Sequence, residues 1–295
     1  MDFNDKVVLI TGASSGIGAA TAIYFANLSA KLCMVARNEN NLRRVALYCE
    51  KSKGIKPHTI TADLTCDVDI ERIVSETIES FGKIDILVNN AGIIAMGGIL
   101  KTNMEDYDRV MATNLRAVFK LTMVTAPHLI ETKGCIINVS SVNSTKPNTM
   151  SLAYNISKCA LDHFTRCTAL ELAPQGVRVN SINPSFVKTN LLKTVGLNED
   201  QLNMFIKNIV GNTPMKKQIE TEEVAGLIGF LASDKAKSIT GCCYVLDSVR
   251  FACERPRVRS PASPLCLGYF PSLFIELILI YLDLRYFLVP TSLMF

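Results

Sequence analysis

The segment "KVVLITGASSGIGAATAIYF" (6–25) sets an apolar run, a glycine-bearing loop and an amphipathic stretch in direct succession. Its first six residues, 6–11, show no polar alternation, so they read as a strand buried on both faces. The glycines at 12, 16 and 18 follow at once, and 16–28 reads as a helix. Gly12 permits a tight turn, Gly16 lets a ligand approach the backbone, and Gly18 lets the helix pack close.

The same rhythm runs on to residue 247. Strands are expected at 31–36, 56–62, 84–91, 134–141, 176–184 and 241–246. Helices are expected at 39–52, 67–81 and 221–232, with another after the fourth strand and one through Tyr154. Strand–helix alternation implies parallel pairing through right-handed crossovers. The expected fold is α/β, a Rossmann-type doubly wound parallel sheet in a single domain, residues 1–247. Ligands of such sheets bind beyond the carboxyl ends of the strands.

The bulk numbers narrow the function classes. The chain has 295 residues, 48% of them hydrophobic, ample for a large core. A net charge of +4 is too mild for a nucleic-acid partner. The ten cysteines form no C-x-x-C pair and the histidines at 58, 128 and 163 are scattered, so no metal site is expected. The first 30 residues lack a secretory pattern. The cysteines are therefore read as free thiols in a reducing compartment, the cytoplasm, each a small buried hydrophobe.

Two segments break the rhythm. Residues 185–220 form a longer, mixed insertion over the strand ends. Its place suits a substrate lid, or else a peripheral packed pair of helices. Residues 248–295 form an atypical tail, irregular and then apolar. The run at 273–289 holds Glu276, Asp283 and Arg285, and each central charge costs about 2.5–3.5 kcal/mol on insertion, so a membrane anchor is not the favoured reading. An extra packed helix is a second reading; read-through or alternative-exon sequence is the third and preferred one.

Several side chains carry chemistry. In "TGASSGIG" (11–18), amides at the helix N-terminus face a phosphate, helped by the Ser14 and Ser15 hydroxyls beside Ile17. Arg37 follows the second strand, where an NAD site usually places a carboxylate. A guanidinium there forks onto a 2′-phosphate, which favours NADP(H) over NAD(H), unless it is merely a solvated strand-end arginine. Asp63 and Leu64, after the third strand, suit an adenine, or Asp63 is a helix cap. Asn90, Ala91 and Gly92 in "NNAG" end the fourth strand, as cofactor contacts or as an Asx turn.

Tyr154 and Lys158 in "AYNISKCAL" (153–161) stand four apart, on one helix face. An ammonium favours the phenolate, so Lys158 is expected to lower the Tyr154 pKa and fit the phenol for proton transfer. Ser141, at a strand end, is placed to hold the reacting oxygen. Asn114 is placed to hold a water behind Lys158. Alone, a Y-x-x-x-K pair is more often a solvated helix face; its place after the fifth strand, with Ser141 before it, changes that reading.

These motifs, in this order and spacing, resemble the short-chain dehydrogenase/reductase family, and its 3-oxoacyl-acyl-carrier-protein-reductase-like branch most closely. The resemblance covers residues 4–247. It implies hydride transfer between NADP(H) and a carbonyl or alcohol, with an Asn114–Ser141–Tyr154–Lys158 tetrad. It also implies cofactor contacts from Pro184, Val187 and Thr189, and a homo-oligomer, tetramer or dimer, built through helices at about 104–131 and 151–173. Two departures stand out. Ser185 replaces the glycine usual after the sixth strand, and the Asp-Gly-Gly that usually ends the last strand reads Asp247-Ser248-Val249.

The expected activity is that of an NADP(H)-preferring carbonyl reductase or alcohol dehydrogenase acting on a small molecule, whose identity the residues leave open. The rival reading is an NADP(H)-binding protein without turnover, its fold altered at the C-terminus. An S-adenosylmethionine methyltransferase needs an acidic residue near the end of the second strand, where Ala36 and Arg37 stand.

Overall fold

A computed structural model describes residues 1–187, 189, 191, 200, 204, 206, 207, 210, 211 and 213–248. All of them belong to the first of two compact units, Met1–Glu254 and Arg255–Phe295. Most of the expected lid, and the tail beyond Ser248, lie outside the described residues. Among the described residues, no helix is long and apolar enough to cross a membrane.

One sheet organises the first unit. Its strands are β1 (Val7–Thr11), β2 (Lys31–Ala36), β3 (His58–Thr61), β4 (Ile86–Asn89), β5 (Cys135–Val139), β6 (Arg178–Pro184) and β7 (Cys243–Leu246). They pair in parallel in the order β3-β2-β1-β4-β5-β6-β7. Between them run α1 (Gly16–Asn27), α2 (Glu39–Lys53), α3 (Asp67–Phe81), α4 (Met104–Met111), α5 (Ala117–Thr132), α6 (Leu152–Leu172) and α7 (Thr221–Ala232). This is the doubly wound, Rossmann-type α/β fold.

The unalternating strand runs are explained by two cores. Val8, Ile10, Leu32, Met34, Val88 and Ile137 face one side, against Phe25 of α1, Leu42 of α2 and Ile228 and Leu231 of α7. Leu9, Cys33, Val35, Leu87, Ile136 and Val179 face the other, against Ile70 and Ile73 of α3, Leu121 of α5 and Ala169 and Leu172 of α6. Every second residue is therefore apolar for one layer and its neighbours are apolar for the other. Helix packing on the first side is close: a Cβ on Gly229 of α7 would stand 2.2 Å from the Tyr24 ring of α1.

The strands end earlier than the apolar runs predict. The fourth stops at Asn89 and the fifth at Val139, so Asn90–Gly92 and Ser140–Ser141 lie in loops at the carboxyl edge. The helix expected after the fourth strand is interrupted as well. Between α4 and α5 runs one π-helical turn, Ala112–Arg116, which contains Asn114. Such turns are rare and cluster at functional sites.

The eight described cysteines are all free, and no cluster of metal-ligating residues forms among the described residues. Cys33, Cys49 and Cys135 are buried as expected. Burial pushes their thiols up to about 12, 11 and 11, so they are inert hydrophobes at neutral pH. Cys66, Cys159, Cys167 and Cys242 are exposed instead. Packing, not residue type, sorts the two groups.

The two family departures behave differently. Ser185 avoids positive φ and its N–H donates to the Leu246 carbonyl at 2.8 Å, so the backbone accepts a side chain there. Ser248 has a φ of 53°, in the left-handed region that glycine tolerates. For a residue with a Cβ this region costs about 1–2 kcal/mol. Ser248→Gly is expected to relieve that strain, partly offset by about 0.5–1 kcal/mol of extra chain entropy in the unfolded state. A thermal melt should show Tm rising by roughly 2 °C; an unchanged or lower Tm would contradict the strain.

Candidate active site

Thr11, the last residue of β1, stitches the centre of the sheet together. Its hydroxyl donates to the Val88 carbonyl at 3.3 Å and accepts from the Asn90 and Ala91 amides at 3.0 and 3.1 Å. Asn90 returns the tie, its Nδ2 donating to the carbonyls of Thr11 at 2.9 Å and Gly12 at 3.3 Å. The loops after β1 and β4 thus form one rigid floor at the point where the strand order reverses. Sequence reasoning quoted Thr11 but assigned it no role; a polar residue ending an apolar run was the available signal.

The Gly-rich loop has the shape of an anion cradle. Gly12 and Gly16 take φ of 67° and 55°. A Cβ on Gly18 would stand 2.3 Å from the Gly12 carbonyl oxygen, so only glycine lets α1 start there. Ser15 precedes α1, its side chain making no capping hydrogen bond, and the first turn of α1 carries no acidic residue. Its N-terminal amides are thus available to phosphate, with Ser14 and Ile17 half-buried alongside. Thr189 closes the other side, its methyl 3.0 Å from the place a Gly16 Cβ would occupy. Pro184 ends β6 beside Leu246, and Val187 forms a bridge to Ile219 that ties the base of the 185–220 segment.

At the far edge, Arg37 is exposed beyond β2. Its charge reaches Asp63, beyond β3, but the Asp63 carboxyl is held below its usual range chiefly by the Thr65 amide, which donates at 2.9 Å. The Thr65 hydroxyl donates to the same oxygen at 2.8 Å, and the Asp63 N–H donates to Asp69. Leu64 packs half-buried against the second core. Arg37 and Asp63 therefore stand together beyond β2 and β3, on the β3-β2 side of the glycine loop that follows β1. The residues present fit a dinucleotide cofactor.

The four candidate residues arrive from two elements and one loop, and all are buried. Tyr154 is 8% exposed, Ser141 7%, Lys158 4% and Asn114 0%. The Ser141 hydroxyl neighbours the Tyr154 phenol closely enough to lower its pKa, and the Asn143 amide donates to the Ser141 Oγ at 3.2 Å. Lys158 Nζ lies 5.7 Å from the centre of the Tyr154 ring and donates to the Val139 carbonyl at 2.7 Å. Asn114 is clamped: its Oδ1 accepts from the Ile93 amide at 2.8 Å, and its Nδ2 donates to the Ile93 carbonyl and to Ser157 Oγ at 2.9 and 3.0 Å. A Cβ on Gly92 would fall 3.4 Å from Asn114 Oδ1 and 3.6 Å from Lys158 Nζ. Gly92 is the gap between them.

The electrostatics depart from the expectation. Burial pushes the Tyr154 phenol above its ordinary value, and the neighbouring Ser141 hydroxyl pulls against it. The Lys158 ammonium is aimed at a carbonyl rather than at the phenol oxygen. Burial lowers Lys158 itself to about 8, with the Asp162 carboxylate pulling the other way. A buried ammonium with one strong acceptor is poorly solvated, so the proton is weakly held. The protein alone thus holds Tyr154 as a protonated donor beside a lysine that titrates within reach of neutral pH.

Residues 12–248 match the protein family described as enoyl-(acyl carrier protein) reductase. The meso-2,3-butanediol dehydrogenase of Serratia marcescens is 34% identical over 84% of this chain and 95% of its own length. The 3-oxoacyl-[acyl-carrier-protein] reductase of Thermotoga maritima is 35% identical over 84% of this chain and 98% of its own. A solved short-chain dehydrogenase/reductase of unknown function from Caenorhabditis elegans, determined with cofactor, superimposes with a TM-score of 0.79 at 33% identity, covering 84% of this chain and 96% of that one.

Lys158 makes stability pH-dependent in a defined direction. Its folded pKa of about 8 lies below its ordinary value of 10.5, so between those values the unfolded chain binds more protons. This group's penalty is full below pH 8 and is relieved as pH rises toward 10.5. Urea unfolding of wild type and Lys158→Met at pH 7 and pH 10 isolates it. Wild type should gain stability relative to the variant at the higher pH; a constant difference would mean the ammonium is not destabilised by burial.

Proposed function

The chain belongs to the short-chain dehydrogenase/reductase family, oxidoreductases that act on CH–OH and C=O groups with NAD(P)(H), and from that premise we propose that it is an NADP(H)-preferring carbonyl reductase or alcohol dehydrogenase. The observation that carries this reading is the buried cluster of Ser141, Tyr154, Lys158 and Asn114 beside a glycine cradle at the reversal of the sheet. In this reading residues 1–247 are the catalytic domain and 248–295 an appended tail.

A bound reduced nicotinamide supplies the hydride for the carbonyl carbon. The chain's residues manage the oxygen and the proton. Ser141 donates to the substrate oxygen, its own Oγ already braced by the Asn143 amide. Tyr154 gives its phenolic proton to that oxygen as negative charge develops; the phenol is held protonated by burial until then. The Lys158 ammonium, behind the ring, stabilises the phenolate left after transfer. Asn114, fixed by Ile93 and Ser157, keeps the Lys158 side open for reprotonation. Oxidation of an alcohol runs the same steps in reverse.

Arg37 supports the NADP(H) preference, since it is exposed at the end of β2, and among the described residues it makes no hydrogen bond that would compete with a 2′-phosphate. The free thiols of the described cysteines support a cytoplasmic setting. Phe119 and Met123 on α5 and Ile156 and Leu170 on α6 are exposed, which supports assembly with a second copy through those helices.

Two measurements test this. Tyr154→Phe should lose carbonyl reduction by about 10²–10⁴-fold while NADPH fluorescence enhancement on binding is retained. Turnover near wild type in that variant sinks the assignment, and NADPH binding by wild type without reduction of any carbonyl in a broad panel favours a binding protein. Arg37→Ala should weaken NADPH roughly 10–100-fold, the worth of a charge-assisted hydrogen bond, and leave NADH affinity within about twofold. Equal losses for both cofactors remove Arg37 as the discriminating residue.

A further inference from the structure

The face of α6 that carries Tyr154 and Lys158 continues one turn further to Asp162. This carboxylate is only 2% exposed. Taking an ion out of water costs several kcal/mol unless its oxygens are satisfied. Here both face polar side chains of β6. Asn183 Nδ2 donates to Oδ2 at 2.7 Å, and Ser181 Oγ lies 3.3 Å from Oδ1. The one proton of that hydroxyl has a nearer acceptor in Asn183 Oδ1, at 2.9 Å, and there it anchors the amide from its other end.

Asn183 passes the constraint on. Its Nδ2 also lies 3.2 Å from the Ser141 carbonyl oxygen and 2.9 Å from Ser144 Oγ. Ser141 precedes the 3₁₀ turn Val142–Ser144, and the Ser144 amide donates back to the Ser141 carbonyl at 3.0 Å. The carboxylate therefore takes one of the two Asn183 Nδ2 hydrogens, and the other is shared between the two ends of the turn that carries Ser141. The charged and titratable groups around Asp162 are Lys158 and Arg166 on α6 and the Cys243 thiol on β7. Its contacts on β6, Ser181 and Asn183, are neutral. Of the two cations Lys158 is buried and Arg166 exposed, so the buried charges on this face are one ammonium and one carboxylate.

We propose that Asp162 and Asn183 form a buried strut that positions Ser141 against Tyr154, and that the Asp162 carboxylate is the counter-charge of Lys158. Both are positioning residues. This inference rests on the hydride-transfer reading above and extends it beyond the tetrad. A merely structural pair would lower stability and leave the folded enzyme's turnover alone. A strut changes kcat, since a misplacement of about 1 Å at the reacting oxygen is worth up to roughly 100-fold.

The test uses the full chain and three variants. Asn183→Ala cuts the strut and keeps the charge. Asp162→Asn removes the charge and keeps an acceptor for Asn183. Ser181→Ala serves if either fails to fold. Activity is expressed per NADPH-binding site, so unfolded material does not count. Asn183→Ala should lower kcat by about 10–100-fold with the NADPH Kd and substrate KM within about threefold. Asp162→Asn should shift the basic limb of the kcat–pH profile to lower pH, because the ammonium loses its counter-charge. Folded variants with wild-type kcat and an unmoved profile overturn the proposal. If wild type reduces no carbonyl, the hydride-transfer reading falls and takes the catalytic half of the inference with it. The strut is then judged by hydrogen exchange of the Ser144, Thr145 and Lys146 amides, which should quicken in Asn183→Ala; unchanged exchange overturns the strut too.

Discussion

Strands β1 and β4 lie side by side in the sheet, and the chain leaves them in opposite directions. Their carboxyl ends cannot be covered by the crossovers that follow, so a cleft opens there. Among the described residues, the glycine loop and the Ser141, Tyr154 and Lys158 side chains lie at these carboxyl ends. Thr11, Asn90 and Gly12 lock the floor of the cleft with a small set of short hydrogen bonds. Because backbone amides and carbonyls on both loops are thereby satisfied, the floor is stiff before any ligand arrives. Stiffness at the floor is what lets a glycine loop present amides to phosphate without reorganising.

Burial of charge is the second organising constraint. Lys158 and Asp162 stand one helical turn apart, at 4% and 2% exposure. Neither would be tolerated alone in that environment. Each is held by neutral polar groups from a neighbouring element: Lys158 by the Val139 carbonyl at the end of β5, Asp162 by Asn183 and Ser181 on β6. The polar side chains between sheet and α6 are thus an internal scaffold, continued deeper by Asn138 donating to Thr165 at 2.9 Å and Asn89 donating to Asn138 at 2.9 Å. A wholly apolar interface would hold α6 to the sheet as well, but it would not set the angle of Tyr154 against Ser141. Directional hydrogen bonds do that, because their energy falls steeply with misalignment.

Much of the fold and the candidate site was legible without coordinates. The strand–glycine–helix unit at 6–28, the apolar runs of the other strands and the Tyr154–Lys158 spacing are local patterns. Local patterns survive translation into structure because 3.6-residue and two-residue periods follow from backbone geometry alone. The errors were of the opposite kind. The fourth and fifth strands end where the ladder ends, not where hydrophobicity does, since Asn90 and Ser141 are claimed by other loops. The π turn that carries Asn114 has no sequence signal in Ala112–Arg116; it forms where Ile93 and Ser157 grip the asparagine from two sides. Asp162, Asn183 and Thr11 went unassigned, although a polar stripe at 154, 158, 162 and 165 on an otherwise buried helix face was there to be read.

What the amino-acid sequence determined by itself is the alternation of elements, the double burial of the sheet and the chemistry available at each strand end. Those follow from side-chain polarity and from glycine's freedom at φ values near 60°, which are properties of residues and near neighbours. What only the tertiary structure decided is which way the charges point and how strongly they hold their protons. The Lys158 ammonium faces a carbonyl from β5, the Tyr154 phenol is held up by burial, and the carboxylate beside them belongs to a strut reaching Asn183, 21 residues further along the chain. Orientation and desolvation depend on atoms that are distant in sequence and adjacent only once the sheet has formed. No spacing rule carries that information, because it is created by the packing itself.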